Sequence, residues 1–136
     1  VYVSGHLGGA SAALRLGFVD HALNERFYRP LARVDLAEGL RACASAAIDI
    51  SDGLLQDLGH LARASYCRID IVAARVPLFP GADLADALYG GDDYELCFTS
   101  SSQPSFPAVE IGLVSDGSGV WVDGQMPARS GYQHFG

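Results

Sequence analysis

Lysine is absent from this 136-residue sequence, and all nine basic residues are arginines. This absence excludes mechanisms in which a lysine of the chain forms a Schiff base, acts as a nucleophile or binds phosphate in a Walker-type loop. Long apolar runs are also absent, and none approaches the roughly 18 residues that a membrane-spanning helix needs. With 49% apolar and 18% charged residues, the composition predicts one globular domain with a buried core.

Positive charge is scarce. Sixteen acids, twelve of them aspartates, outweigh the nine arginines and give a net charge of −7. Because no basic run or basic-aromatic stripe is present, we expect no nucleic-acid partner. Aspartate is a good ligand for hard cations such as Mg²⁺, but it also caps helices and turns, so composition alone leaves both roles open.

The sequence has only three cysteines, and they are isolated. Cys43, Cys67 and Cys97 lie more than twenty residues apart in apolar stretches, a spacing that fits neither a disulfide framework nor a zinc site. We predict that they are buried small apolar residues. The sequence begins at Val1 in a strand-like segment without a Met or a secretion leader. We therefore expect a cytoplasmic protein, no membrane partner, and a domain cut from a longer chain.

Apolar periodicity and turn residues predict a mixture of helices and short strands. Asp35 and Glu38 have the spacing of an N-terminal capping box for the third helix. Because the strands need not all be parallel, the order favours an α+β fold with a mixed β-sheet covered by helices. The predicted strands are 1–4, 46–50, 67–72, 94–99, 109–114 and 120–122, and the predicted helices are 8–16, 21–28, 35–45, 53–65 and 82–88.

The segment 47–53 (AIDISDG) carries the first candidate site, since a buried strand is expected to end there and a helix to begin. Ser51 or Asp52 could cap that helix, and Gly53 would let a ligand approach the backbone. Free N–H groups and the helix dipole would then favour a phosphate oxygen. Asp49 could hold a Mg²⁺ ion that the phosphate shares. The alternative is that Ser51 and Asp52 are ordinary caps and that Asp49 points outward from a half-exposed strand.

The segment 90–96 (GGDDYEL) carries a second candidate site. Two flexible glycines precede the adjacent acids Asp92 and Asp93, which lie at the start of a predicted strand. Adjacent carboxylates repel each other, so a hydroxyl, a cationic ring or a metal of a substrate could compensate them. The alternative is a solvated turn.

The glycines of segment 4–10 (SGHLGGA) are placed as in a strand-to-helix phosphate cradle, but the G-x-G-x-x-G register is missing. Close packing between a helix and a strand explains these glycines equally well. The four histidines are scattered, with His60 on the polar side of its helix. They suggest neither a zinc set nor a nucleophile triad.

Three ordered blocks resemble those of the thiamine-monophosphate kinases: 47–60 (AIDISDGLLQDLGH), 90–99 (GGDDYELCFT) and 131–135 (GYQHF). The resemblance runs over essentially the whole chain but only over the C-terminal half of the family's proteins. It implies that residues 1–136 are a C-terminal domain with the aminoimidazole-ribonucleotide-synthetase-like fold. The family's N-terminal domain, absent from this chain, supplies the dimer interface, most Mg²⁺-binding aspartates and much of the ATP site.

The resemblance also implies a reaction, the phosphorylation of thiamine monophosphate to thiamine diphosphate by ATP. The transfer would be direct and Mg²⁺-assisted, because the acceptor phosphate is already anionic and needs no strong base. Asp49 and Asp52 would ligate Mg²⁺ and Ser51 would contact ATP. Asp92 and Tyr132 would contact thiamine monophosphate, as an acid and an aromatic face suited to its cationic thiazolium. The chain would hold half the site and be inactive alone, and its full-length parent would be a homodimer.

Two other functions stay open from the sequence. The parent could be another ATP-dependent enzyme of the same superfamily, distinguished by the 90–96 block and the Tyr132 tail. Alternatively, the chain could be a non-catalytic binding or interaction module, whose exposed inter-domain face should be apolar and extensive.

Overall fold

The computed structural model describes residues 1–128. All five helices that the apolar periodicity predicted are present in these residues. The helices are α1 (Gly9–Arg15), α2 (His21–Tyr28), α3 (Ala37–Cys43), α4 (Leu54–Ala64) and α5 (Leu84–Tyr89). The strands are β1 (Tyr2–Val3), β2 (Ala44–Asp49), β3 (Arg68–Ile71), β4 (Leu96–Ser100), β5 (Val109–Glu110), β6 (Gly112–Ser115) and β7 (Gly119–Val122).

The strands form two sheets rather than one. An antiparallel sheet has the order β2-β4-β1-β5, and a mixed sheet has the order β6-β3-β7, with β3 parallel to β7 and antiparallel to β6. Ile111 joins the two sheets, because its N–H donates to the Val1 carbonyl (2.8 Å) and its carbonyl accepts from the Val72 N–H (2.8 Å). The predicted α+β class with a mixed sheet is confirmed, and the strands are divided between two sheets.

Helix α4 supplies much of the apolar core. Its buried residues recur at helical spacing on one side, as the sequence predicted. They pack with residues of the strands, including Val3, Ile69, Ile71, Cys97 and Ile111. Fully burying each of the larger side chains contributes about 1.5–3 kcal/mol, and this packing fixes where α4 begins relative to the end of β2. The buried apolar residues of α4 are Leu54, Leu55, Leu58, Leu61 and Ala62.

The predicted capping box before α3 is wrong. A 3₁₀ turn at Val34–Leu36 precedes the helix, and Leu36 is its N-cap without a side-chain hydrogen bond. The Asp35 carboxylate instead accepts from the Arg33 guanidinium at 3.1 and 3.2 Å. A cation two residues away therefore competes successfully with the helix N–H groups for this carboxylate.

The prediction of a buried strand before the first candidate site is also wrong. In β2, Ala46 and Ile48 are half-buried against the core, while Ser45, Ala47 and Asp49 are exposed. The reason is that alternate side chains of β2 point to opposite faces of the sheet, and only the face with Ala46 and Ile48 packs against the core.

Burial of the cysteines is only partly as predicted. All three are free thiols, but Cys97 is buried whereas Cys43 and Cys67 are half-buried. Burial raises the pKa of the Cys97 thiol well above its usual range, so this residue serves as a packing group. None of the helices in residues 1–128 has the length and apolar character needed to cross a lipid bilayer.

Candidate functional site

The two candidate segments of the sequence meet in space. The β2–α4 loop (residues 50–53) and the α5–β4 loop (residues 90–95) are joined by backbone hydrogen bonds. The Asp92 N–H donates to the Ser51 carbonyl at 3.0 Å, and the Tyr94 N–H donates to the Ile50 carbonyl at 2.8 Å. The Ile50 N–H donates in turn to the Glu95 carbonyl at 2.7 Å. The two motifs therefore form one structural unit at the ends of neighbouring strands.

Glycines allow these loops to approach each other. Gly53 has a left-handed φ of 111°, and a Cβ there would lie 3.0 Å from the carbonyl of Tyr89. A Cβ on Gly91 would collide with the Ser51 carbonyl oxygen. The expectation that Gly53 opens the backbone to a ligand is therefore wrong, since the loop opposite occupies that space.

Asp57 shapes the β2–α4 loop from within α4. Its side chain is buried, and its Oδ2 accepts from the backbone N–H groups of Ser51 and Asp52, both at 3.0 Å. These N–H groups are therefore not free for a phosphate, contrary to the sequence-based expectation. Burial raises the pKa of the Asp57 carboxyl, and the two N–H donors oppose that rise.

The N-terminus of α4 is also built differently from the prediction. Gly53 is its N-cap, with no side-chain hydrogen bond. Ser51 and Asp52 are therefore not helix caps, although the sequence allowed either to be one. The Asp52 carboxylate accepts instead from the Gln56 side chain at 3.1 Å. This contact holds the carboxylate beside the first turn of α4.

A group of possible metal ligands lies on the same side of α4. Asp52, Asp57 and His60 each offer one ligand atom, and these atoms lie within 4.8 Å of one another. Asp57 already accepts two N–H groups, and Nδ1 of His60 lies 2.8 Å from the Arg63 guanidinium. Mg²⁺ prefers oxygen ligands and usually keeps several waters. The group therefore fits Mg²⁺ only in part, with Asp52 as its best ligand, and Asp49 does not belong to it.

Three of the predicted site residues line one cleft of about 990 Å³. Ser51, Asp52 and Asp92 face it together with Arg15 of α1 and Tyr89 of α5. Asp49 is exposed on β2 and is not among the lining residues. Ala128, the last described residue, also lines the cleft. Tyr132, the remaining predicted contact, lies outside the described residues.

Three of the predicted carboxylates act on the Tyr94 hydroxyl near this cleft. The hydroxyl of Tyr94 donates to Asp92 Oδ1 at 3.2 Å. The pKa of Tyr94 is raised first by the charge of Asp92 and further by burial, by this hydrogen bond and by the charges of Asp49 and Asp52. All three carboxylates therefore act on one point, and this arrangement favours a cationic ligand or a metal ion.

A second cavity, of about 590 Å³, lies elsewhere in residues 1–128. It is lined by residues with neutral side chains, among them Val1, Cys67, Thr99 and Leu113. None of the predicted site residues lines it. The acidic cleft is therefore the stronger candidate for the chemistry that the sequence motifs indicate.

The adjacent acids Asp92 and Asp93 have opposite environments. Asp92 is exposed to the cleft, whereas Asp93 is 1% exposed and its Oδ2 accepts from the Gly8 N–H at 2.7 Å. Burial is the main reason that the pKa of Asp93 is raised to about 6. A protein N–H group, rather than a substrate, thus compensates Asp93.

The glycine turn before α1 is therefore not an open phosphate cradle. Gly8 has a φ of 85°, and a Cβ there would lie 2.9 Å from the Ala87 backbone nitrogen. The alternative explanation of these glycines by close packing is the right one. The carboxylate of Asp93 takes the place at this turn that a phosphate oxygen would occupy in a cradle.

Glu95 forms a buried charge cluster that the sequence interpretation missed. Its carboxylate accepts from the Ser4 hydroxyl (2.5 Å), from Arg33 (2.7 Å) and from Arg26 (3.3 Å). Two arginines and a hydroxyl together satisfy this buried charge and tie β4 to β1. Spacing gives no signal for this cluster, because its members come from separate segments and the left-handed φ of Asp92 and Tyr94 interrupts the period of two of a strand.

Comparison with known proteins shows relatives of one kind over nearly the whole chain. The thiamine-monophosphate kinase of Aquifex aeolicus is 36% identical over 156 aligned residues, which cover 99% of this chain and 51% of the relative. The enzyme of Salmonella typhimurium is 37% identical, with coverages of 99% and 52%. The chain thus spans about half the length of the curated relatives it matches. No protein-family model matches the chain.

Solved structures agree with the sequence comparison. A complex of AaThiL with AMPPCP and TMP superposes with a TM-score of 0.90 at 37% identity, covering 98% of this chain and 50% of that one. The thiamine-monophosphate kinase of Stenotrophomonas maltophilia gives 0.84 at 38% identity, with coverages of 93% and 50%. The hydrogenase maturation protein HypE of E. coli gives 0.68 at 23% identity, covers 89% of this chain and 45% of that one, and shares the fold.

Proposed function

Because the chain belongs to the thiamine-monophosphate kinase family, we propose that it supplies half of the active site of an enzyme that phosphorylates thiamine monophosphate with ATP. The observation that carries this proposal is the acidic cleft, in which Ser51, Asp52 and Asp92 come together from two separate motifs. The superposable AaThiL complex supports it, because that protein was solved with AMPPCP and TMP bound.

Asp92 is the proposed contact for the cationic part of thiamine monophosphate. Its carboxylate is exposed to the cleft, and Tyr94 donates to one of its oxygens. A thiazolium ring beside this carboxylate would add the positive charge that the neutral Tyr94 hydroxyl does not supply. Tyr132, four residues after Ala128 in the sequence, would add an aromatic face.

Ser51 is the proposed contact for ATP. Its backbone is fixed on both sides, because its N–H donates to Asp57 and its carbonyl accepts from the Asp92 N–H. The side chain projects from a loop that cannot shift independently of the α5–β4 loop. Binding energy is therefore not lost in ordering this segment when the nucleotide arrives.

Mg²⁺ would be held by Asp52 and Asp49, assisted by ligands from outside this chain. When bound, the ion would neutralise charge on the phosphates that meet in the reaction. The role fits a chain without lysine, because aspartates and metal ions then replace lysine in managing phosphate charge. Transfer would be direct, since the acceptor phosphate is itself the nucleophile.

The remaining elements of the proposal concern the parent protein. We propose that residues 1–136 form its C-terminal domain and that an N-terminal domain supplies the other half of the site and a homodimer interface. The parent would work in the cytoplasm. The chain alone would turn over little or no substrate, because effective molarity collapses when half the ligands are absent.

Isothermal titration calorimetry of the 136-residue chain tests the proposal. Thiamine monophosphate and Mg-AMPPCP are titrated separately into the chain, into Asp92→Asn and into Asp116→Asn. We expect saturable binding of thiamine monophosphate that Asp92→Asn weakens at least about tenfold, the effect of removing one charged contact, and that Asp116→Asn leaves unchanged. Absence of binding for both ligands, or binding indifferent to Asp92→Asn, would contradict the proposal and favour the interaction module.

A further inference from the structure

The α5–β4 loop holds two residues in an uncommon backbone conformation. Asp92 has a φ of 63° and Tyr94 a φ of 53°, both in the left-handed region that residues other than glycine seldom adopt. Asp93 lies between them. Residues held in this region persist only where the surrounding structure fixes them. The contacts of Asp93 therefore act beside the backbone hydrogen bonds of Asp92 and Tyr94 in fixing this loop.

Asp93 is fixed to two helices that precede it in the chain. At the N-cap of α1, the Gly8 N–H donates to Oδ2 at 2.7 Å, and the neighbouring Gly9 backbone acts to lower the pKa of the carboxyl. From α2, the Arg26 guanidinium donates to the Asp93 main-chain carbonyl at 3.2 Å. The side chain and the main chain of this one residue thus have separate anchors. Asp93 itself is 1% exposed.

The Asp93 carboxylate is only partly satisfied. Oδ1 is buried and has no hydrogen-bond partner within residues 1–128. The charged groups that act on the carboxyl are Arg26 from α2 and Glu95 from its own segment, the first favouring and the second opposing its ionised form. An apolar or amide side chain would avoid this burial penalty. The stability of the fold therefore does not explain why a buried and partly satisfied acid occupies position 93.

We propose that Asp93 is a positioning residue, whose carboxylate fixes the α5–β4 loop to the N-terminus of α1 and thereby sets the placement of Asp92 in the cleft. This inference deepens the proposed function and rests on it for the identity of the ligand that Asp92 contacts. The physical link between Asp93 and Gly8 is independent of that identity. Its test can therefore be separated from the test of the function.

Nuclear magnetic resonance of the ¹⁵N-labelled 136-residue chain tests the link directly. Between pH 4.5 and 8, the amide protons of Gly8 and Gly9 should shift with a common midpoint near 6, where Asp93 titrates. Asp92→Asn should leave this midpoint in place. Gly8 and Gly9 amides that do not respond to pH in the wild-type chain would overturn the proposal, and this result requires no variant to fold.

Amide hydrogen exchange then tests positioning. In Asp93→Asn, exchange of the Asp92 and Tyr94 amides should be about tenfold faster at pH 7.5, because a neutral acceptor holds the Gly8 N–H less strongly. Asp116→Asn, an exposed substitution in the turn after β6, is the matched control and should change neither amide. Unchanged exchange in Asp93→Asn would overturn the proposal.

Ligand affinity separates this inference from the proposed function. Asp93→Asn should weaken thiamine monophosphate binding about tenfold without lowering the melting temperature at pH 7.5, a combination that a purely structural role would not give. Equal losses of stability and affinity would overturn the positioning role. If the wild-type chain binds no thiamine monophosphate but Gly8 titrates as expected, the link stands and the proposed function fails.

Discussion

The Asp57 carboxylate accepts a 3.0 Å hydrogen bond from the Ser51 backbone N–H and so closes the β2–α4 loop onto the helix that follows it. The same oxygen accepts from the Asp52 N–H. A buried acid of α4, rather than a phosphate, thus satisfies the donors that precede the helix. The proposed ligands Ser51 and Asp52 are consequently displayed by a loop whose shape is set before any substrate binds.

Replacing Asp57 should destabilise the fold. In Asp57→Ala, two backbone N–H groups lose their acceptor, and we expect the free energy of unfolding to fall by about 2–4 kcal/mol. Urea denaturation followed by circular dichroism measures this. Asp116→Ala, at an exposed turn, is the control and should change stability by less than about 0.5 kcal/mol. If Asp57→Ala also lowers the free energy of unfolding by less than about 0.5 kcal/mol, Asp57 does not stabilise the β2–α4 loop as described.

Stability should depend on the ionisation of Asp93. The pKa of this carboxyl is raised from 3.8 to about 6 in the folded chain. The folded state therefore binds the proton more tightly than the unfolded state, and stability rises as the pH falls from about 7.5 towards 4. The ionised form costs about 3 kcal/mol above pH 6.

The comparison of wild type with Asp93→Asn isolates this effect. Asp57, whose pKa is also raised, changes stability in the same direction in both proteins. Denaturation midpoints between pH 4.5 and 8 should therefore vary more steeply with pH in the wild type than in Asp93→Asn. Parallel curves would show that Asp93 does not titrate as described.

The buried Glu95 cluster should be sensitive to Arg33. The guanidinium of Arg33 lies 2.7 Å from Glu95 with 17% of its side chain exposed. Arg33→Ala leaves that carboxylate with Arg26 and Ser4 alone, so we expect a loss of about 2–3 kcal/mol. Arg29→Ala is the matched control, because Arg29 is 80% exposed in its pair with Glu25 and should contribute under about 0.5 kcal/mol. Thermal melts that rank the two variants equally would exclude the cluster as a stabilising feature.

Asp49 provides a test that separates function from folding. Its carboxylate is exposed on the outer face of an edge strand, so Asp49→Asn should change the free energy of unfolding by less than about 0.5 kcal/mol. In the full-length parent it should lower turnover at least about tenfold, because metal neutralisation of phosphate charge is worth several kcal/mol. Matching losses of melting temperature and activity would indicate a structural role instead.

The regular elements could be predicted from the sequence because their apolar spacing is strong. Helix α2 has the predicted ends, and the buried face of α4 contains every leucine assigned to it. The prediction that Asp35 caps α3 is wrong because a cap and an ion pair use the same carboxylate. Spacing alone cannot show that the Arg33 guanidinium, rather than a helix N–H group, contacts this carboxylate. The exposure of β2 depends on which face of its sheet the core covers, and this is a property of the whole fold.

The candidate site was predictable as a set of residues but not as a geometry. Asp52 and Asp92, forty positions apart in the sequence, line the same cleft. The positioning acids Asp57 and Asp93 were missed as such, because their partners are backbone N–H groups of other segments. A carboxylate whose partners are backbone N–H groups does not require any particular type of residue as its partner. The sequence therefore shows no complementary pair of side chains that would reveal the contact. The sequence therefore indicates which residues face a ligand better than it indicates what holds them.

The location of the substrate is the central claim, and chemical-shift mapping tests it most directly. Thiamine monophosphate is titrated into the ¹⁵N-labelled chain in the presence of Mg²⁺, and the amide shifts of residues 1–128 are followed. We expect the largest shifts at Ser51, Asp52 and Asp92, and no shifts at residues around the neutral cavity, such as Cys67 and Leu113. Shifts centred on that neutral cavity, or none at saturating ligand, would contradict this claim.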